Sequence, residues 1–169
     1  MRDYYHDTWI EDGNAAIGYR STGWFKPKKI VPRRFADILP GTQIEGFTQG
    51  PVTRTEIVKY AAASWDFNPI HHDETFAQKA RSGGIIAHGM MIFAYLARVA
   101  TDYLGQPELQ KLSARFMNVT RPGDVLTLTG QVIEATKGAG GGDVLLSLKA
   151  VNQRGETVAT GLARAFVPA

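Results

Sequence analysis

The chain has 169 residues, of which 44% are hydrophobic and 21% charged, and its formal net charge is +3. This composition predicts one folded domain and excludes a disordered or fibrous protein. Cysteine is absent, which excludes disulfides, thiolate nucleophiles and cysteine-ligated metal clusters and favours a cytoplasmic location. The most apolar stretch is too short for a membrane span, and we expect no signal peptide.

Residues 1–35 differ from the rest and are predicted to form an N-terminal arm, with a single domain over residues 36–169. The arm is rich in Tyr and Trp and carries basic runs at 26–29 and 33–34. We interpret these runs as solvated surface, and contacts with ligand phosphates or nucleic acid are the alternatives. Because no nucleic-acid-binding motif accompanies them, neither nucleic acid nor a membrane is an expected partner.

The first regular elements come directly after the arm. Alternating residues at 42–47 predict a short strand. Thr53 and Glu56 then form a capping box, which predicts the start of an amphipathic helix. This helix must end before Pro69, because a residue that precedes proline disfavours helical geometry. Residues 66–71 are therefore predicted to be a loop at a helix end.

The second half of the chain predicts one buried helix followed by strands. A short polar helix over 73–81 is broken by Gly83-Gly84, and an almost wholly apolar helix follows at 86–104. Period-two alternation from Leu112 onward predicts four antiparallel strands, with a flexible glycine-rich loop at 137–142. The sum is an α+β domain in which an antiparallel sheet wraps around a long buried helix, the pattern of a hot-dog fold.

Two segments resemble the MaoC-type dehydratases and (R)-specific enoyl-CoA hydratases. The first is Asp66-Phe67-Asn68-Pro69-Ile70-His71, with Ala77 six residues later, and the second is Ala87-His88-Gly89-Met90. Arg121-Pro122-Gly123-Asp124 also resembles the family's C-terminal half. Many members have Gly where this chain has Trp65, a departure that bears on substrate shape more than on chemistry.

The resemblance implies a homodimer in which two sheets lie side by side, and no metal or redox cofactor. It also implies a substrate held as a thioester on CoA or on an acyl carrier protein. The expected reaction interconverts trans-2-enoyl and (3R)-3-hydroxyacyl thioesters. A hot-dog thioesterase and a non-catalytic subunit of a heterodimeric dehydratase are the alternatives, although the second would be expected to lack one member of the acid/base pair.

Hydration of an enoyl thioester needs a base, an acid and donors for the enolate oxygen. Asp66 and His71 are predicted to be the acid/base pair, because the bend at Asn68 and Pro69 allows them to converge on one water. Asn68 is predicted to orient one partner or the water. Which member is the base stays open. A metal cluster of His71 with its neighbours His72 and Asp73 is disfavoured, because the spacing matches no zinc motif.

The resemblance implies that the amide of Gly89 lies near the thioester carbonyl. A glycine inside a helix costs about 1 kcal/mol relative to Ala, which independently suggests close approach by a backbone or substrate. We also expect unpaired amide groups at Gly83 and Gly84. The predicted substrate-pocket residues are Gly84, His88, Met90 and Phe93, and for the last three a place in the core is the alternative.

Overall fold

The computed structural model describes residues 32–105 and 108–169. Most of the predicted arm lies outside these ranges, so the division at residue 35 stays a prediction. Within the described ranges, none of the helices is long and apolar enough to cross a bilayer.

One antiparallel sheet contains five strands in the order β1-β3-β4-β5-β2. The strands are β1 (Gln43–Gln49), β2 (Glu108–Phe116), β3 (Leu126–Gly138), β4 (Gly141–Asn152) and β5 (Thr157–Pro168). The last four follow one another in sequence, as predicted. The order leaves β1 and β2 at the two edges of the sheet.

Three α-helices lie between β1 and β2 in the sequence: α1 (Arg54–Ser64), α2 (Glu74–Lys79) and α3 (Gly89–Leu104). Thr53 and Glu56 form the predicted capping box at the start of α1. Helix α3 contacts all five strands, and its Leu96 and Val99 are almost completely buried. The predicted architecture of a sheet around a buried helix is therefore confirmed.

The strands bury one face and expose the other. Along the first part of β3, Leu126, Leu128 and Val132 are buried, while the intervening Thr127 and Thr129 are exposed. This alternation places the main core between the sheet and α3. A second, smaller hydrophobic cluster lies apart from it, and its buried members are Val52, Ile57, Ala77, Ile85, Ala87 and Met91.

Two predicted segments are wrong in detail. The long helix begins at Gly89 and not at 86, because the Ala87 N–H donates to Thr120 O at 2.8 Å and holds that segment extended. The predicted flexible loop at 137–142 is instead the tip of the β3–β4 hairpin, where Gly138 pairs with Gly141. Gly140 has φ +73, so glycine here permits a tight turn.

Candidate active site

The loop that carries Asp66 begins where α1 ends. Trp65 is the C-cap residue of α1 and has left-handed backbone geometry, with φ 58 and ψ 22. A large L-residue is held there at a cost of about 1–2 kcal/mol, whereas glycine adopts it freely. This geometry explains why glycine suits the position. The side chain is 85% exposed and its ring meets that of Phe67 edge to face at 5.9 Å.

Asn68 shapes the next turn. Its side-chain Oδ1 accepts a hydrogen bond from Ile70 N at 3.3 Å and caps a short 3-10 helix over Pro69–His71. Its own N–H donates to Asp66 Oδ1, also at 3.3 Å. Asn68 thus links the two halves of the motif through the turn itself. Its predicted role in orienting a partner or a water stays a prediction.

His71 is brought within reach of Asp66 by this turn. His71 Nε2 lies 3.9 Å from Asp66 Oδ2, and their side chains are 8% and 53% exposed, respectively. His71 Nδ1 lies 2.7 Å from Ile86 O. Because a carbonyl oxygen only accepts, Nδ1 carries the proton in the neutral ring and Nε2 presents its lone pair. One buried imidazole therefore faces a partly solvated carboxylate.

His88 lies directly behind this pair and is 1% exposed. Its ring is stacked on that of His71, with centroids 3.7 Å apart and planes 24° apart. Tyr60 from α1 lies 5.0 Å away from the His88 ring. Burial raises the pKa of the Tyr60 hydroxyl, and the Asp66 carboxylate raises it further. Tyr60 is therefore a neutral neighbour of the site.

Gly89 is the first residue of α3, so it does not interrupt a helix, and the expectation of a glycine inside a helix is wrong. Its N–H has no hydrogen-bond partner among the described residues, as is usual in the first turn of a helix. A Cβ added at Gly89 would lie 3.3 Å from the Phe116 ring of β2. A side chain at this position would narrow the space between α3 and Phe116.

The other predicted pocket residues lie at different depths. Met90 is 54% exposed and Phe93 is half-buried, so a core position for Met90 is wrong for the described chain. Gly84 is buried, and its N–H donates to Ala77 O at 2.9 Å. The Gly83 N–H donates to Ala80 O at 3.0 Å, so the expected unpaired amides at these two glycines are absent. A position in the substrate pocket stays a prediction for Gly84, His88, Met90 and Phe93.

Potential metal-ligand atoms of Asp66, His71 and His88 lie within 4.8 Å of one another. The two imidazoles are stacked, however, so their in-plane lone pairs do not converge on one ion, as zinc ligation at about 2.0–2.1 Å requires. A metal cluster of His71, His72 and Asp73 is also disfavoured. Asp73 Oδ1 accepts a hydrogen bond from Phe76 N and caps α2, while His72 is exposed. The arrangement suits proton transfer better than ligation.

Comparison with known proteins adds to this geometry. The MaoC like domain family matches residues 36–153. The chain belongs to this family. Solved structures similar to this MaoC-like chain include the (R)-hydratase PhaJ1 from Pseudomonas aeruginosa, with 26% identity and a TM-score of 0.70 over 80% of this chain and 85% of that one. The predicted hot-dog fold and family resemblance are both confirmed.

Two further similarities are to proteins with other names. A monoamine oxidase regulatory protein from Archaeoglobus fulgius is 31% identical, with a TM-score of 0.72 over 81% of this chain and 95% of that one. Fatty acid synthase 2 from Mycosarcoma maydis is 32% identical over 114 residues, which are 62% of this chain. That match spans only 3% of the synthase. Hydratase or dehydratase chemistry is thus supported at the level of the family.

Sequence reasoning missed two contributors to the site. Ile86 supplies only its backbone oxygen, which accepts a hydrogen bond from His71 Nδ1–H, and no side-chain pattern signals that. The helical stripe of α1 indicates that Tyr60 faces inward, but it does not reveal the His88 ring beneath it.

Proposed function

We propose that this protein is an (R)-specific hydratase/dehydratase that interconverts trans-2-enoyl and (3R)-3-hydroxyacyl thioesters of CoA or an acyl carrier protein. The observation that carries the proposal is the 3.9 Å approach of Asp66 Oδ2 and His71 Nε2, with the other His71 nitrogen held by Ile86 O. The similarity to a named (R)-hydratase supports the same reaction.

A separation of 3.9 Å is too long for a direct hydrogen bond, but a single water can contact both atoms. With Nδ1 protonated, neutral His71 offers Nε2 as a proton acceptor, and an ionised Asp66 accepts a second hydrogen bond from the same water. As the water oxygen bonds to Cβ of the enoyl group, one water proton passes to the pair. The pair then supplies a proton to Cα, so that the elements of one water are added.

Charge develops on the thioester oxygen during this addition, because the π electrons move toward the carbonyl. We assign the Gly89 N–H as the donor to that oxygen, since it is unpaired among the described residues and lies at the positive end of α3. Gly89 is exposed, and the Phe116 ring borders the space beside it.

The role of Gly89 can be tested by Gly89→Ala, which keeps the amide but places a Cβ against Phe116. We expect kcat to fall by about an order of magnitude, since small misplacements of reacting groups are costly. Stability should change by less than about 1 kcal/mol, since Ala is favourable in helices. Gly138→Ala is the control, because its Cβ would meet nothing within 4 Å. Equal kcat in both variants would show that the space between Gly89 and Phe116 does not affect the reaction.

The protein is proposed to work as a homodimer. Among the described strands, β2 lies at an edge of the sheet, where its outer backbone groups can pair with a further strand. Apolar side chains at and after its end are substantially exposed: Phe116, Met117 and Val119. Pairing of two β2 edges would place the sheets side by side and cover these residues.

Among the alternatives, a non-catalytic subunit does not need an acid/base pair, and this chain has both members in proximity. The described basic residues of the arm, Arg33 and Arg34, argue against a nucleic-acid contact, because both have partners within the chain. Arg33 Nε donates to Tyr103 O at 2.7 Å, and Arg34 pairs with Asp37.

A thioesterase remains the enzymatic alternative. A cytoplasmic location stays a prediction.

One assay separates hydration from hydrolysis. Purified protein is mixed with crotonyl-CoA and longer trans-2-enoyl-CoA esters, and the enoyl absorbance and free thiol are followed together. Hydration predicts loss of enoyl absorbance without release of thiol, and chiral analysis should give the (3R)-hydroxyacyl product. Release of thiol would identify a thioesterase, and a (3S) product would overturn the stereochemical assignment.

A further inference from the structure

His88 contacts both Asp66 and His71, although it is not itself a member of the proposed acid/base pair. Its Nε2 lies 3.0 Å from the backbone oxygen of Asp66. Its ring also covers one face of the His71 ring at 3.7 Å. The His88 side chain therefore contacts both the main chain of Asp66 and the ring of His71.

The protonation of His88 follows from these contacts. Because Asp66 O only accepts, Nε2 carries the proton in the neutral ring, and Nδ1 keeps its lone pair. Burial lowers the pKa of His88, and the nearby His71 and His72 lower it further, against opposing effects of the Asp66 backbone oxygen and carboxylate. Tyr60, which packs on His88 from α1, has a raised pKa and stays neutral. His88 is thus an uncharged ring when His71 accepts a proton.

This arrangement has a cost. His88 Nδ1 is buried and has no hydrogen-bond partner among the described residues. A buried unsatisfied polar atom typically costs about 1–3 kcal/mol, whereas an apolar ring in the same space would not. The imidazole is therefore a poor choice for packing alone, and its advantage lies in the bond to Asp66 O.

We propose that His88 is a positioning residue, which fixes the Asp66 main chain through its Nε2–H and the plane of the His71 ring by stacking. Together with the bond from His71 Nδ1 to Ile86 O, these contacts leave His71 little freedom to rotate. Asp66 Oδ2 and His71 Nε2 are then held facing the same water. This inference rests on the proposed function and adds to it the residue that aligns the pair.

Three variants separate the two contacts. His88→Phe keeps a ring against His71 but has no donor, His88→Gln keeps a donor but no ring, and His88→Ala keeps neither. We expect kcat to fall by roughly 10²-fold in His88→Ala, with smaller losses in the other two and little change in KM. Wild-type kcat in all three, or a loss confined to KM, would overturn the proposal. Thr129→Ala, on the exposed face of β3, is the control for general disturbance.

A spectroscopic test does not depend on activity. In long-range ¹H–¹⁵N spectra of full-length protein with labelled histidine, His88 should be the Nε2–H tautomer and His71 the Nδ1–H tautomer. In His88→Ala the His71 signals should show a mixture of tautomers. An Nδ1–H tautomer at His88, or an unchanged His71 spectrum in the variant, would overturn the inference. If the wild type shows these tautomers but hydrates no thioester, the proposed function fails while the alignment by His88 stands.

Discussion

The two hydrophobic clusters of this domain differ in what surrounds them. The large cluster lies between α3 and the sheet and is formed by regular helices and strands. The small cluster combines residues of the three helices with residues of the loops beside them, and His71 and His88 are buried in the same stretch of chain between β1 and α3. Tyr95 packs against both. The comparison indicates that the large cluster provides most of the stability, whereas the small one holds the reactive groups.

The largest expected effect is on stability and belongs to the large cluster. Leu96→Ala removes a completely buried side chain of α3 and should lower the free energy of unfolding by about 2–5 kcal/mol. The site should be unaffected, so kcat per folded molecule should not change. Denaturant unfolding and the hydration assay measure the two quantities.

The matched control is Leu39→Ala, because Leu39 is 64% exposed. It should change stability by less than about 0.5 kcal/mol. A loss of kcat in Leu96→Ala similar to the loss in His88→Ala would break the comparison, since the two clusters would then not be separate in function.

A smaller effect is expected at Asp124. Its side chain is 3% exposed and accepts hydrogen bonds from Arg154, the Arg121 N–H and Gln153. Asp124→Asn should cost about 2 kcal/mol at neutral pH, because bonds to a buried charge are lost. Glu156→Gln, in an exposed partner of the same arginine, should have little effect. Equal losses in the two variants would contradict this account.

Asp124 also predicts a dependence on pH. Burial raises its pKa, but the hydrogen bonds outweigh this, so that the net pKa lies below its ordinary value of 3.8. The unfolded chain therefore binds the proton more readily in this range, and stability falls as the pH drops below about 3.8. Above that pH the contribution is fully present. The fall should be shallower in Asp124→Asn when thermal unfolding is followed as the pH is lowered from about 5 to about 3.

The smallest expected effect is a gain. Trp65→Gly should raise stability by about 0.5–1 kcal/mol, because glycine adopts the left-handed geometry freely. Trp65→Ala removes the same ring but keeps a Cβ, so it should give no such gain. If both variants stabilise the protein equally, exposure of the ring and not backbone strain is responsible.

Much of the large cluster could be predicted from the sequence, because period-two alternation and an apolar helix are local signals. The alternation of buried and exposed residues in β3 and the apolar helix α3 are examples. The start of α3 could not be predicted, since the bond from Ala87 N–H to Thr120 O joins residues 33 positions apart in the numbering. Local apolar character at 86–88 looks the same in a helix and in an extended segment.

The site was predictable only in part. The motif selected Asp66 and His71, and the turn at Asn68 and Pro69 explains their approach. The stacking of His88 on His71 depends on how two separate segments pack, and sequence spacing does not encode it. Their tautomers follow from two backbone carbonyls, at Asp66 and Ile86, which any residue type could supply.

The most direct test of the central claim is the rate of hydration of trans-2-enoyl-CoA by Asp66→Asn and His71→Ala, with Thr129→Ala, on the exposed face of β3, as the control. We predict that kcat falls by about 10²–10⁴-fold in each of the first two variants, because each removes a proton-transfer group. Thr129→Ala should keep the wild-type rate. Wild-type kcat in either pair variant, with folding intact, would contradict the account.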